Sequence, residues 1–374
     1  MNDSKKGLII VYDPHNLYQF IWYYCHGGND LEWDALCLPN DRKGEYMHSY
    51  CEASGIFKNV IKDDKNFNTL PTKEKLKVFL GMLGHLIIGK RRQYCKKMLN
   101  QYVNIDDYDR IVVLTGVGIV SGACIALSKE KDIVILEDGV GDYSERKKWI
   151  KPKNLKSVYH WQGFILSHMG YSCPGWYYFA HEKYCLKFSS RPDKMPANIY
   201  REIRQLYEEE GTDQELLKTL IERTYPQIAE IDFSKYQTIF LTLPLVDCVH
   251  NTAPYQERLQ KFFAERYTSI ILKKHPRDLM EYDFGEKAEV FEIPSSIPAE
   301  AIMTYIKDMD IYMCESCSTI MYAKPYGLKC MVIILDGYYE ESISEGVEFS
   351  APSEESILSY IREFGSEDCV TVKV

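Results

Sequence analysis

Short, unbroken apolar runs recur along the chain, and the segments between them are amphipathic. Gly7–Tyr12, Ile111–Leu114, Ile133–Leu136, Thr238–Leu243, Thr268–Lys273, Val290–Ile293, Ile311–Cys314 and Cys330–Leu335 all have this form. Runs of this length, rich in β-branched residues, predict strands buried on both faces of a parallel sheet. Leu36–Pro39 and Phe57–Lys62 read as further short strands. Helical stretches are expected over Leu17–Tyr24, Thr72–Tyr102, Asn198–Glu210, Asp213–Tyr225, Tyr255–Tyr267, Ala299–Lys307, Ser318–Lys324 and Ser353–Phe364. The strand–helix alternation runs twice, which predicts two doubly wound α/β domains. The expected division is 1–210, then 236–350, then a C-terminal helix and tail over 351–374, with a linker near Glu208–Asp213.

Candidate chemistry gathers where apolar runs end, because open α/β sheets place their ligand crevices at the carboxyl ends of strands. Ile133–Leu136 runs into Glu137-Asp138-Gly139, two carboxylates followed by a glycine able to turn sharply. The first strand runs into Asp13-Pro14-His15-Asn16. Asp13, His15 and Asn16 suit a ligand contact, and equally a proline turn with a capped helix. Ile111–Gly122 leads a strand into Gly116, Gly118 and Gly122, close to a dinucleotide-binding βαβ unit but spaced GxGxxxG. We read it as a glycine-rich turn lining the cleft, with an NAD(P)-binding oxidoreductase as the rival.

In the second half, Lys273-Lys274-His275-Pro276-Arg277 follows a buried strand. A histidine held there beside a rigid proline is placed to donate to an anionic leaving group. Lys274 and Arg277 favour phosphate and oppose protonation of the ring, so a bound phosphate would restore the proton. Glu315-Ser316-Cys317-Ser318-Thr319 lies between a strand and an apolar helical run. Hydroxyls at a helix start serve as caps or as a phosphate cradle, and one residue can do both. The loop Ile293-Pro294-Ser295-Ser296-Ile297-Pro298, with Glu300 behind it, sits at another strand end and suits a base and ribose.

Composition narrows the classes. The 374 residues are 45% hydrophobic and 26% charged, values of a globular chain. A net charge of −9 argues against a nucleic-acid binder. Twelve cysteines include one Cys-x-x-Cys, Cys314 and Cys317, and no paired metal spacing; Asp308-Met309-Asp310 reads as surface acids. No signal peptide or membrane-spanning run is evident, so the expectation is a cytoplasmic protein with reduced thiols. Two basic runs, Lys90–Lys97 and Arg146–Lys156, are solvated faces or contacts to an anionic inner membrane, worth about 1 kcal/mol per basic residue. The aromatic stretch His160–Tyr184 suits a core patch or a lid. Oligomeric state is not readable.

The ordered set Glu137-Asp138-Gly139, His275-Pro276 and Ser318-Thr319 resembles the bacterial sialyltransferases, which share an acid-acid-Gly turn, a His-Pro pair and a Ser-Ser/Thr pair. In length and layout the likeness is to glycosyltransferase family 52, with the capsular polysialyltransferases next. It spans Ile111 to Leu335, with the N-terminal hundred residues similar only in plan. The resemblance implies a GT-B fold, two Rossmann-like domains facing across a cleft. It implies CMP-sialic acid as donor, a glycan hydroxyl of lipooligosaccharide or surface polysaccharide as acceptor, inversion, and no metal or other cofactor. Carried over by position, Glu137 is the base, with Asp138 beside it and Asp247 in reserve. His275 protonates or stabilises the departing CMP, and Ser316, Ser318 and Thr319 hold its phosphate. Lys274, Pro276, Ile293, Pro294 and Glu300 line the nucleotide site, and Leu243 and Pro244 floor it. Asp13, His15, Asn16, Gly116 and Gly139 fall on the acceptor side. The same fold with another donor, such as UDP-glucose, is the nearest alternative, and a non-catalytic assembly protein is a further rival.

Overall fold

The computed structural model describes residues 5–25, 28–38, 44–62, 71–114, 119–127, 130–136, 182–185, 200–202, 214–306, 308–314, 319–320, 326–345 and 353–374. By contact the chain forms two compact units, Met1–Tyr225 and Pro226–Val374.

The first unit runs β1 (Lys6–Val11), α1 (Pro14–Cys25), β2 (Glu32–Cys37), α2 (Gly44–Ser54), β3 (Phe57–Lys62), α3 (Thr72–Ile87) and α4 (Arg91–Leu99). It continues with β4 (Arg110–Leu114), α5 (Ile119–Ile125), β5 (Asp132–Leu136), β6 (Glu182–Cys185), β7 (Tyr200–Glu202) and α6 (Gln214–Thr224). Its strands pair in parallel in the order β3-β2-β1-β4-β5-β6-β7. Connections reverse direction between β1 and β4, the topological switch point of a doubly wound sheet. Leu8, Ile10, Ile111 and Val113 pack on one face against Cys95, Leu99, Val120 and Cys124 of α4 and α5. Phe20 of α1 meets Trp33 of β2 edge-on at 4.9 Å, and Trp33 Nε1 donates to the Gly28 carbonyl at 2.6 Å. Gly7 permits that indole to lie against β1, since a Cβ there would fall 2.4 Å from its ring.

The second unit runs β8 (Thr238–Leu241), α7 (Ala253–Ala264), β9 (Ser269–Lys273), β10 (Glu289–Ile293), α8 (Ala299–Ile302), β11 (Asp310–Cys314), β12 (Cys330–Ile334), α9 (Tyr338–Glu345), α10 (Glu354–Phe364) and β13 (Val370–Lys373). The sheet is parallel, ordered β10-β9-β8-β11-β12-β13, with its switch point between β8 and β11. Phe240 of β8 meets Phe263 of α7 at 4.5 Å with the rings tilted by 33°, and Phe263 meets Tyr312 of β11 edge-on at 5.1 Å. The expected pair of doubly wound α/β units, the make-up of a GT-B fold, is present.

Several expectations change. Thr72–Tyr102 is two helices, because Gly89 takes φ +72° and the Lys90 N–H closes back on the His85 carbonyl at 2.8 Å. That six-to-one bond is a Schellman closure, which ends α3 before α4 begins. Tyr200–Glu202, expected in a helix, is a strand beside β6. The second strand is Glu32–Cys37, ending before Pro39. The helix expected over Ala299–Lys307 is one α-turn followed by a 3-10 turn, Met303–Tyr305. The last residues, expected as a helix and tail, supply α10 and then β13, whose Val370–Lys373 pairs with β12. Among the described residues no helix is long and apolar enough to cross a membrane.

Candidate functional site

Polar side chains of the second unit converge at the carboxyl ends of β8 and β9, beside the switch point. Thr242 follows β8 and is tied to β9 by its backbone N–H, which donates to the Lys273 carbonyl at 3.1 Å. Its hydroxyl accepts from the His275 N–H at 3.0 Å and donates to Asp278 Oδ2. Asp278, 5% exposed, also accepts from Tyr282 Oη at 3.0 Å and from the Met280 N–H at 3.1 Å, while its own N–H donates to the His275 carbonyl at 2.8 Å. One buried carboxylate therefore fixes the whole Lys274–Tyr282 turn. A network of this kind holds its shape because each buried polar group has partners. Burial, with the Asp278 carboxylate alongside, pushes the Tyr282 phenol far above its ordinary range, so it stays a donor at any working pH.

The His275 ring is oriented by the same turn. Nδ1 accepts the Arg277 N–H at 3.2 Å, so the neutral imidazole carries its proton on Nε2. A proton on Nδ1 would face that N–H, which makes the ring a neutral donor through Nε2. Lys273, 4% exposed, donates from Nζ to the Lys274 carbonyl at 3.0 Å, placing a buried amine at the strand end. Lys274 Nζ donates to the Met280 carbonyl at 3.1 Å and lies 3.4 Å from Glu292 of β10. Arg277 forms an ion pair with Asp247 at 2.7 Å.

The other expected residues of this unit fall at or after the carboxyl ends of β8, β9, β10 and β11. Leu243 is half-buried and Pro244 is buried, heading the 3-10 turn Leu245–Asp247. Ile293 is fully buried at the end of β10, and Pro294 is exposed with its carbonyl accepting from the Ile297 N–H at 3.1 Å. Pro276 is exposed, Glu300 is 7% exposed in α8, and Thr319 is 2% exposed shortly after β11. Ser316 and Ser318 lie outside the described residues. Thr242, Asp278, Tyr282 and Lys273 are the residues that sequence reasoning missed. The one available signal was an acid and a tyrosine four apart after a His-Pro turn.

In the first unit the polar cluster after β1 does local work. Asp13 Oδ1 accepts from the Asn16 N–H at 2.9 Å, and Asn16 Oδ1 accepts from the Tyr12 N–H at 2.9 Å. Of the two readings of Asp13 and Asn16, turn-and-cap chemistry is the one these bonds express. His15 is half-buried in the first turn of α1. Tyr12 Oη lies 3.2 Å from Ser121 Oγ of α5, joining the two sides of this sheet's switch point. The strand expected before the acid pair is β5, which ends at Leu136. Glu137, Asp138, Gly139 and Gly116 fall outside the described residues, as do the basic run Arg146–Lys156 and most of the aromatic stretch before Glu182.

No protein-family model matches the chain, and no curated protein sequence matches it. Among solved structures it is similar to a UDP-GlcNAc 2-epimerase from Methanocaldococcus jannaschii, with 13% identity and TM-score 0.46, covering 97% of this chain and 96% of that one. It is similar also to the glycosyltransferase SnogD from Streptomyces nogalater, with 13% identity and TM-score 0.46 over 98% and 96% of the two chains. An E. coli ADP-heptose LPS heptosyltransferase II shows 11% identity and TM-score 0.38 over 98% and 90%. What defines the fold is the strand order of its two sheets, both wound from a central switch point.

Proposed function

We propose that the protein is an inverting, metal-independent sialyltransferase that moves sialic acid from CMP-sialic acid to a glycan hydroxyl of a bacterial surface polysaccharide or lipooligosaccharide. The observation that carries this reading is the His275 turn. A histidine whose backbone is held by Thr242 and Asp278, with Nδ1 occupied by the Arg277 N–H, has its donor at Nε2. A neutral donor aimed at a phosphate stabilises CMP as it departs, with the buried Lys273 amine at the same strand end. Donors already in place need no reorganisation as charge develops, which is how a nucleotide anion departs without a metal.

In this reading Glu137 deprotonates the acceptor, with Asp138 beside it raising its proton affinity. Ser316, Ser318 and Thr319 hold the phosphate. Pro294, Glu300 and the Leu243–Pro244 floor take the nucleoside. Asp247, engaged by Arg277, shapes the loop after β8 in preference to acting as base.

The test is turnover of CMP-sialic acid in EDTA with lipooligosaccharide acceptors, read by mass spectrometry of the glycan and by CMP release. The reading expects sialylated product with wild type and a loss of at least about a hundredfold with Glu137→Gln. Consumption of a UDP-sugar with none of CMP-sialic acid would keep the fold and overturn the donor.

A further inference from the structure

We infer that the α3–α4 edge of the first unit is a docking surface for an anionic lipid bilayer. Leu76, Leu80 and Ile87 of α3 are 55%, 55% and 76% exposed, and Ile88 in the turn beyond is 60% exposed. At about 100° per residue the three helical positions fall within an arc of about 40°, so they form one stripe along the helix. Gly84 lies beside that stripe, and a Cβ on it would meet nothing within 4 Å. Aliphatic side chains in such a row on a helix are the buried face of a globular protein or the inserted face of an interfacial helix.

Charge selects the occupant. Residues 72–99 hold eight lysines and arginines against a single acid, Glu74, in a chain whose net charge is −9. Some of that charge is matched within the unit: Lys77 pairs with Glu74 at 2.7 Å, Arg92 with Glu130 at 3.3 Å and Lys96 with Asp106 at 2.6 Å. Lys73, Lys90 and Lys97 are exposed and enter no ion pair among the described residues. Lys73 precedes the stripe in α3, Lys90 follows it in the turn, and Lys97 lies on the neighbouring α4. Lysine stems lie along apolar surface while their ammonium groups sit at headgroup level. Apolar side chains then enter the acyl boundary, and the lysines meet lipid phosphates.

A second copy of the chain fits less well. An isologous dimer through this face would set the basic border of one protomer on that of its partner. The inference stands whatever reaction the second unit supports.

Flotation of the full-length protein with phosphatidylcholine vesicles, with and without phosphatidylglycerol, tests it at two salt concentrations. Three proteins are compared: wild type, Leu80→Glu with Ile87→Glu, and Lys90→Glu with Lys97→Glu. All substituted side chains are exposed, and thermal unfolding checks that each variant folds. The expected result is wild-type binding that requires phosphatidylglycerol and weakens with salt. Each double variant should bind at least about tenfold more weakly, with its thermal unfolding unchanged. Absence of binding to the anionic vesicles would overturn the proposal, and so would variants that bind like wild type. Loss of self-association in Leu80→Glu with Ile87→Glu, without loss of vesicle binding, would reassign the face to a second copy.

Discussion

The His275 backbone N–H donates to Thr242 Oγ1 at 3.0 Å, so the residue that closes one strand anchors the backbone of the turn that follows the next. The same hydroxyl donates to Asp278, which holds Tyr282 as well. Replacing Thr242 by valine keeps the shape and removes both bonds, leaving a buried carboxylate short of one donor. We expect a loss of about 1–3 kcal/mol in stability and weaker nucleotide binding. Chemical denaturation and calorimetry on Thr242→Val check it. A variant as stable as wild type would show that the network is not what holds the turn.

The Nε2 donor of His275 makes a sharper prediction. Glutamine at this position can present an amide N–H where Nε2–H stands, whereas alanine presents none. His275→Gln should therefore retain more affinity for CMP than His275→Ala at neutral pH. Equal loss in both variants would point to the imidazolium in place of the neutral ring.

Gly7 faces the Trp33 indole at a distance no Cβ tolerates. Gly7→Ala should destabilise the protein by about 1–3 kcal/mol, since the ring is held by Gly28 and Phe20 and must move to yield. Urea unfolding measures this. A cost under about 0.5 kcal/mol would mean that the indole shifts freely.

Cys369 sets a pH dependence. A hydrogen bond from the Cys330 thiol, opposed by burial and assisted by Ser366, pulls its thiol down to about 6 from an ordinary 9.0. Ser366 Oγ also donates to the Leu328 carbonyl at 2.9 Å, which leaves Cys330 as the main donor to the thiolate. A depressed folded-state value adds stability that is complete above about 9 and is lost as pH falls through about 6. The stability gap between wild type and Cys369→Ala should therefore widen from pH 6 to pH 9. Parallel pH profiles would contradict it.

Much of the fold was legible because its strands are buried on both faces and read as unbroken apolar runs. Thr238–Leu241, Ser269–Lys273, Asp310–Cys314 and Cys330–Ile334 are such strands. Edge strands gave weaker signals: Val370–Lys373 alternates and is half-exposed, and Tyr200–Glu202 is only three residues long. The break between α3 and α4 was readable in principle from Gly89, a residue suited to a left-handed helix end. At the site, His275 stood out because its neighbours in sequence are informative. Thr242 and Asp278 did not, because their partnership is made by bringing two strand ends side by side, and no local pattern encodes it. Asp13 and Asn16 drew attention as polar residues at a strand end, yet their bonds go to the adjoining backbone.

The most direct measurement is titration calorimetry with CMP, with and without EDTA, against UDP and NAD, on wild type and His275→Ala. The account predicts CMP binding that is indifferent to EDTA, stronger than UDP or NAD binding, and at least about tenfold weaker in His275→Ala. Tighter binding of UDP or NAD than of CMP, or CMP binding untouched by the substitution, would contradict it.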